Sequence, residues 1–563
     1  MPMRKLLFVL LFWVSAASAA DGSDTLDAVQ RLAGAGAPQL ALNRVEQSQP
    51  RDAAAPRWAD WEILRLQLLF QLDRYADVLQ RASALPAGMP TAPLRAALIL
   101  AMRAAIPAAR GGQARQYAAR VLWQLSPPAG ELKAVRLLVI ESHVADRKGD
   151  AAFLGMLRFQ QDYRPLDRAT AARFVEALLE LGMAKEAVNW LGSLDDANPL
   201  KLLLRFRAGL VSADKAVTQA RAQLAKGGNI GYWQVLAQVA TQQNDRMLQI
   251  ESLENMLQLA DAKNAPRLAA ETRELWQAYF AAAQEIGNQN QLLTGDDVAW
   301  SDFATRRIGS SPFVSRALFA YLAQRGRTSE TRSHAQLQIV LSLQTARRGL
   351  AALRLFRDSG IEVDAIDSQA RYLLGGIAEN RNLPAVALRF WQGLDPPPNS
   401  DAGEWRLRVA VTALHAGMAE QAAAALKKAL AAEKALPAGP AQRGVAIAQE
   451  MLDAGKPDLA GELFEALLPL IGPAQQRTAL FGLGRVHEAA GRLPVAANYY
   501  LRSALLADGR APDAFALQAR LLAGLNLAHA GYRDDARAQF EWLLRNSKDA
   551  AQLERARREL KKL

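Results

Sequence analysis

Cysteine is absent from all 563 residues. Disulfides, thiolate metal sites, thiol nucleophiles and a lipid-modified N-terminal cysteine are therefore excluded. Histidine is scarce: His143, His334, His415, His487 and His529 are the whole complement. A zinc-binding helix of the His-Glu type needs a second histidine one turn on. Four residues after His487 stands Gly491, so His487-Glu488 lacks its second ligand. No metal and no cofactor is expected. Paired glycines in "ARGGQ" and "AKGGNIG" lack the Gly-Lys-Ser/Thr ending of a phosphate loop. Gly482 and Gly484 follow no strand, so they make no dinucleotide motif. Serines have no nucleophile-elbow context. Long β-branched alternating runs are missing, and past the first residues no apolar run approaches the about 18 residues of a membrane helix. No transmembrane segment is expected once a leader is removed.

What is present is a chain half hydrophobic, with prolines near segment ends and a formal net charge of +12. That composition excludes a disordered chain and favours helices. The charge is mild for the length and both signs are interleaved. Without a concentrated basic stripe, nucleic acid is not an expected partner. Anionic polysaccharide, peptidoglycan or a membrane surface would benefit from the positive field; solubility alone explains it equally well. Arg4 and Lys5 precede an apolar run from Leu6 to Val14, and small residues fill Ser15 to Ala20. This is the pattern of a secretory leader cleaved after Ala19 or Ala20. A periplasmic location is the expectation.

A repeat organises the rest. Gly491 has Gly484 seven residues before it, Ala496 five after and Tyr500 nine after. Gly531 has Gly524, Ala536 and Phe540 at the same offsets. Gly455 has Ala448, Ala460 and Phe464, and Gly417 has Ala410, Ala422 and Leu426. The four anchors are spaced by 38, 36 and 40 residues. A glycine ends one helix in a left-handed turn. The alanine sits where two helices approach closely, and the large residue one turn on fills the groove between them.

These residues resemble the tetratricopeptide repeat family, best in "LGRVHEAAGRLPVAANYYLRSAL" and "LAGLNLAHAGYRDDARAQFEWLL". The resemblance covers about 400–550 and weakens upstream. Asn382 with Gly375, Ala387 and Trp391 fits with Asn at the turn; Gly182 with Val175, Ala187 and Leu191 fits in part. Asp73 loses the small residue to Val78. The resemblance implies an all-α, right-handed superhelical solenoid of antiparallel helix hairpins, about fourteen at the family's length. Five segments are expected: a leader, 1–20; irregular hairpins, 21–286; a junction with a non-repeat loop, 287–364; family-like repeats, 365–548; and a capping helix, 549–563. In that family the first helix of each pair lines a groove holding a peptide or protein segment. Carried over, the groove is formed by Tyr372, Glu379, Leu407, Val411, Gln449, Asp453, Phe481, Arg485, Glu488, Leu521 and Leu525.

Two other clusters carry rival readings. Glu141-Ser142 resembles the catalytic pair of soluble lytic transglycosylases, exported enzymes with helical superhelices. The Gly-Leu-Met-Gln signature of that family is absent, and the pair lies early rather than C-terminally; a polar helix surface explains it equally. Asp296, Asp297 and Asp302 surround Trp300 without calcium-loop spacing; they suit helix capping or a contact surface. The expectation is a non-catalytic scaffold or adaptor binding proteins in cell-envelope assembly, secretion or polysaccharide export. The alternative is a peptidoglycan-acting enzyme.

Overall fold

The computed structural model describes residues 26–35, 37–260, 265–398, 400–431, 433–506 and 512–563. The expected leader, 1–20, lies outside them. Thirty α-helices follow one another, with no strand among the described residues. Most are consecutive antiparallel pairs, such as Ala402–His415 with Ala419–Leu430 and Pro473–Ala489 with Leu493–Leu505. Prolines open several helices, including Pro199–Arg207, Pro384–Trp391, Pro457–Leu467 and Pro473–Ala489. The first turn has no partner for an N–H, so proline loses nothing there. Two compact units are present, one ending at Ser252 and one running from Leu253 to Leu563.

Most hairpins turn in the same way. Gly417, Gly455, Gly491 and Gly531 have φ between +71° and +88°. The N–H of the following residue reaches back five residues: Arg492 to the His487 carbonyl at 2.9 Å, and Tyr532 to that of Leu527 at 2.9 Å. This closes the first helix and satisfies one of its terminal carbonyls. Identical bonds close hairpins with no turn glycine. Asp73, Ala109, Arg147, Asn244, Arg347 and Asn382 take φ between +54° and +59°. The next residue again reaches back five, as in Arg74 to Leu69 at 2.9 Å and Arg348 to Leu343 at 2.7 Å.

The packing register also persists upstream. In the four downstream hairpins the residues five and nine after the turn, from Ala422 and Leu426 to Ala536 and Phe540, are fully buried. Around Asp73 the equivalent Leu66, Val78 and Ala82 are at most 2% exposed, so Val78 holds the place of the missing alanine. Around Ala109 these are Met102, Ala114 and Ala118; around Arg347, Val340, Ala352 and Phe356. What changes is size. Downstream a small residue on the first helix faces a large one on the second; in Leu66/Ala82 and Met102/Ala118 the order is reversed. In these two pairs the sizes are exchanged rather than added, which cores accept; Val340/Phe356 has no small member. The Gly182 hairpin departs differently. Its second helix tightens into a 3-10 turn over Val188–Ser193. Trp190, not Leu191, becomes the fully buried residue, edge-on to Phe174 at 5.4 Å.

Close approach explains glycines inside the first helices. A Cβ on Gly482 would stand 2.4 Å from Phe464, and one on Gly375 only 2.0 Å from the Trp391 indole nitrogen. Both lie far inside van der Waals contact. At the C-terminal end the helix Ala550–Leu560 begins at Asp549, whose carboxylate accepts from the Ala551 and Gln552 amides. Ala556 is buried there, and Leu560 and Leu563 join the last apolar cluster.

Candidate functional site: a polar ladder and a pocket on the first helices

The first helices of the last five hairpins are Ser368–Asn380, Ala402–His415, Ala438–Asp453, Pro473–Ala489 and Ala514–His529. Charged side chains link each to the next. Arg408 donates to the Glu379 carboxylate, from Nε at 2.9 Å, and Thr412 Oγ1 adds a bond at 3.2 Å. Arg443 donates to Glu404. Arg485 reaches Asp453 at 2.9 Å, and Gln449 reaches the same oxygen at 3.3 Å. Glu488 accepts from the Tyr500 hydroxyl at 2.6 Å and from Asn526 Nδ2 at 3.2 Å. Arg477 forks onto Asp513, whose carboxylate also accepts from the Ala516 amide at the helix start. That fork and the amides hold the Asp513 carboxyl down to about 2. Burial pushes the Tyr500 hydroxyl up strongly, and its Glu488 partner adds to this.

Of the predicted groove residues, Glu379, Leu407 and Val411 are brought together. They line a cavity of about 440 Å³ with Trp405, Arg408, Glu404, Arg443, Asp401, Pro397 and Ser400. Leu407 and Val411, one turn apart on one face of Ala402–His415, form its apolar floor. The Arg408–Glu379 and Arg443–Glu404 pairs border it. Asp401 caps the same helix through the Glu404 amide at 2.6 Å. Trp405, part of the lining, stands 5.0 Å from Trp391, and the Tyr372 ring stands edge-on to Trp405 at 5.4 Å. Arg408 also stacks over the Trp391 ring at 4.9 Å. Sequence reasoning missed Arg408, Glu404 and Arg443. The spacing of Glu404, Arg408 and Val411 within one helix was a signal for the first two; the pairing of Arg443 crosses hairpins and left none.

The other predicted residues sit elsewhere. Tyr372 gives its hydroxyl to the Asp395 carbonyl and serves the aromatic packing. Gln449, Asp453, Arg485 and Glu488 belong to the ladder: each has a polar partner there, while Asp453 and Glu488 also remain exposed. Phe481 stands 4.8 Å from Phe515 and 5.2 Å from Tyr500, a second aromatic cluster. Leu521 and Leu525 are 6% and 8% exposed and pack in the core. A helix squeezed between neighbours buries more than its inward edge, which the carried-over offsets ignored.

The rival clusters are engaged structurally. Burial pushes the Glu141 carboxyl up despite its ion pair with Arg173. Ser142 is buried, donating to the Val139 carbonyl at 2.6 Å and accepting from Arg115 at 3.2 Å. Asp296 caps the helix Asp297–Thr305, and Asp297 accepts from the Arg327 amide at 2.6 Å. Trp300 is buried against Tyr321, stacked at 4.4 Å. His487 stacks on Tyr499 at 5.1 Å, and burial lowers its pKa. Among the described residues, no three metal-ligating side chains come together.

The chain is thus an all-helical array of hairpins in the register that the tetratricopeptide resemblance implied. No protein-family model matches it, and nothing among the curated proteins does. Among solved structures it is similar to the APC/C hetero-tetramer Cut9-Hcn1, at 12% identity over 94% of this chain and 95% of that one, with TM-score 0.30. It is similar to Naa15/Naa10 bound to HypK-THB, at 12% identity over 95% of each chain, with TM-score 0.23. The pentatricopeptide repeat protein PPR10 from maize is similar at 12% identity over 94% of this chain and 80% of that one, with TM-score 0.28. These likenesses carry nothing about partners.

Proposed function

We propose that this protein is a non-catalytic scaffold whose first-helix face over 368–529 holds a segment of another protein. The pocket floored by Leu407 and Val411 carries the reading. Its apolar floor and its rim of charged pairs are the anatomy of a protein contact, where an apolar anchor is buried and polar groups surround it. A polysaccharide fits the same pocket less well. Sugar rings stack on open aromatic faces, and Trp405 is only 8% exposed. The leader-like residues Arg4 to Ala20 support export, and with it a partner among cell-envelope proteins serving assembly, secretion or polysaccharide export. The test is chemical crosslinking in intact cells, followed by purification of the full chain and of Val411→Asp. Adducts that vanish in Val411→Asp support the reading; an unchanged adduct set contradicts it.

One observation favours the alternative enzyme. A raised carboxyl pKa at Glu141 is the direction a general acid needs. The Arg173 ion pair opposes it, because a guanidinium holds the carboxylate ionised.

A further inference from the structure

Glu254 is fully buried, and Arg316 is 1% exposed. Arg316 forks onto the Glu254 carboxylate at 2.7 and 2.8 Å and gives a third N–H to Ser342 Oγ at 2.9 Å. The Tyr279 hydroxyl donates to the same carboxylate at 2.8 Å, and Arg348 donates to its other oxygen. The donors lie 25, 62 and 94 residues further along the chain. One turn on, Gln258 Oε1 accepts from the Leu350 and Ala351 amides at 3.0 and 3.3 Å. These are first-turn N–H groups of the helix Gly349–Arg357, which has no capping side chain of its own. That helix returns the service. Arg354 donates to the Leu257 and Ala260 carbonyls, at the end of the helix Arg246–Leu259. Each helix therefore caps the other.

We propose that this cluster is a register lock. Glu254, Gln258 and Arg354 act as one unit, so the end of Arg246–Leu259 and the helix Gly349–Arg357 open together or not at all. The physical reason is discrimination. A slip by one turn moves a helix about 5.4 Å. Ala351, Ala352 and Leu355 would still find apolar contacts after such a slip. Arg348 would lose Glu254, Arg354 would lose two carbonyls and Gln258 would lose two amides at once. Arg316 and Tyr279 would stay on Glu254, but the freed guanidinium groups, the Gln258 amide oxygen and the backbone groups would lose their partners together, and each unpaired buried polar group is costly.

Hydrogen exchange on the full native chain tests the lock. In Glu254→Gln, amides of 253–260 and 350–357 should both exchange at least about tenfold faster, while 479–486 keep their rates. Tyr279→Phe removes one bond from the carboxylate and keeps the ring, so it folds where a harsher change fails. It should speed the same two segments by about threefold. Gln258→Ala should accelerate both segments too. Acceleration confined to the segment next to the substitution, or no acceleration in either, overturns the proposal.

Discussion

Gly484 faces the ring of Tyr500 so closely that a Cβ there would lie 2.6 Å from Cδ1 and Cε1. Gly524 and Phe540 repeat the relationship at 2.8 Å. Gly484→Val should therefore lower the unfolding free energy by about 2 kcal/mol through overpacking. Upstream hairpins reverse the sizes, as in Leu66/Ala82. The double variant Gly484→Leu/Tyr500→Ala should accordingly be more stable than the sum of its single changes allows. Urea denaturation of the full chain measures this. Strict additivity of the two changes would show that the pair does not share one space.

The turn position supplies the second prediction. Arg347 adopts φ of +58° and Gly491 of +71°. A side chain in that region costs about 1–2 kcal/mol. Arg347→Gly should stabilise the protein by about 0.5–1 kcal/mol, and Gly491→Ala should destabilise it by about 1 kcal/mol. Denaturant midpoints report both.

These two positions also explain what the sequence disclosed. Downstream, glycine marks the turn and Gly-to-aromatic pairs mark the groove, so the repeat can be read directly. Upstream, Asp73, Ala109, Arg147 and Arg347 hold the same left-handed turn, and nothing about arginine announces it. The reversed pairs Leu66/Ala82 and Met102/Ala118 hide the size pattern as well. At the candidate site, the positions carried over from the resemblance include Glu379, Leu407 and Val411, which line one cavity. They could not show that Asp453, Arg485 and Glu488 pair sideways, because those partners sit on separate hairpins. Nor could they show the Glu254 cluster, whose donors lie up to 94 residues away.

Acid should probe the ladder through Asp513. Its carboxyl is held at about 2, first by the Arg477 hydrogen bonds, below the ordinary value of 3.8. A depressed folded pKa contributes stability that is present above the ordinary value. That contribution is lost as pH falls from about 4 towards 2. The Asp513 side chain is half exposed, so it amounts to less than about 1 kcal/mol. Asp513→Asn should flatten that part of the stability curve while leaving the rest unchanged. Thermal melts between pH 2 and 6 check it.

The enzyme alternative has its own outcome. Purified full-length protein should release no soluble fragments from dye-labelled peptidoglycan above the buffer level. Release that Glu141→Gln abolishes, without a fall in melting temperature, would establish the enzyme reading instead.

Site-specific photocrosslinking tests the scaffold most directly. A benzoylphenylalanine is placed in the full chain at Val411, on the pocket floor, or at Lys428, exposed on the second helix of the same hairpin. Irradiation in living cells should give a discrete protein adduct from Val411 and none from Lys428, and a second change, Arg443→Glu at the rim, should weaken it. Equal adducts from both positions, or none from Val411 while the protein remains folded, would contradict a partner-binding first-helix face.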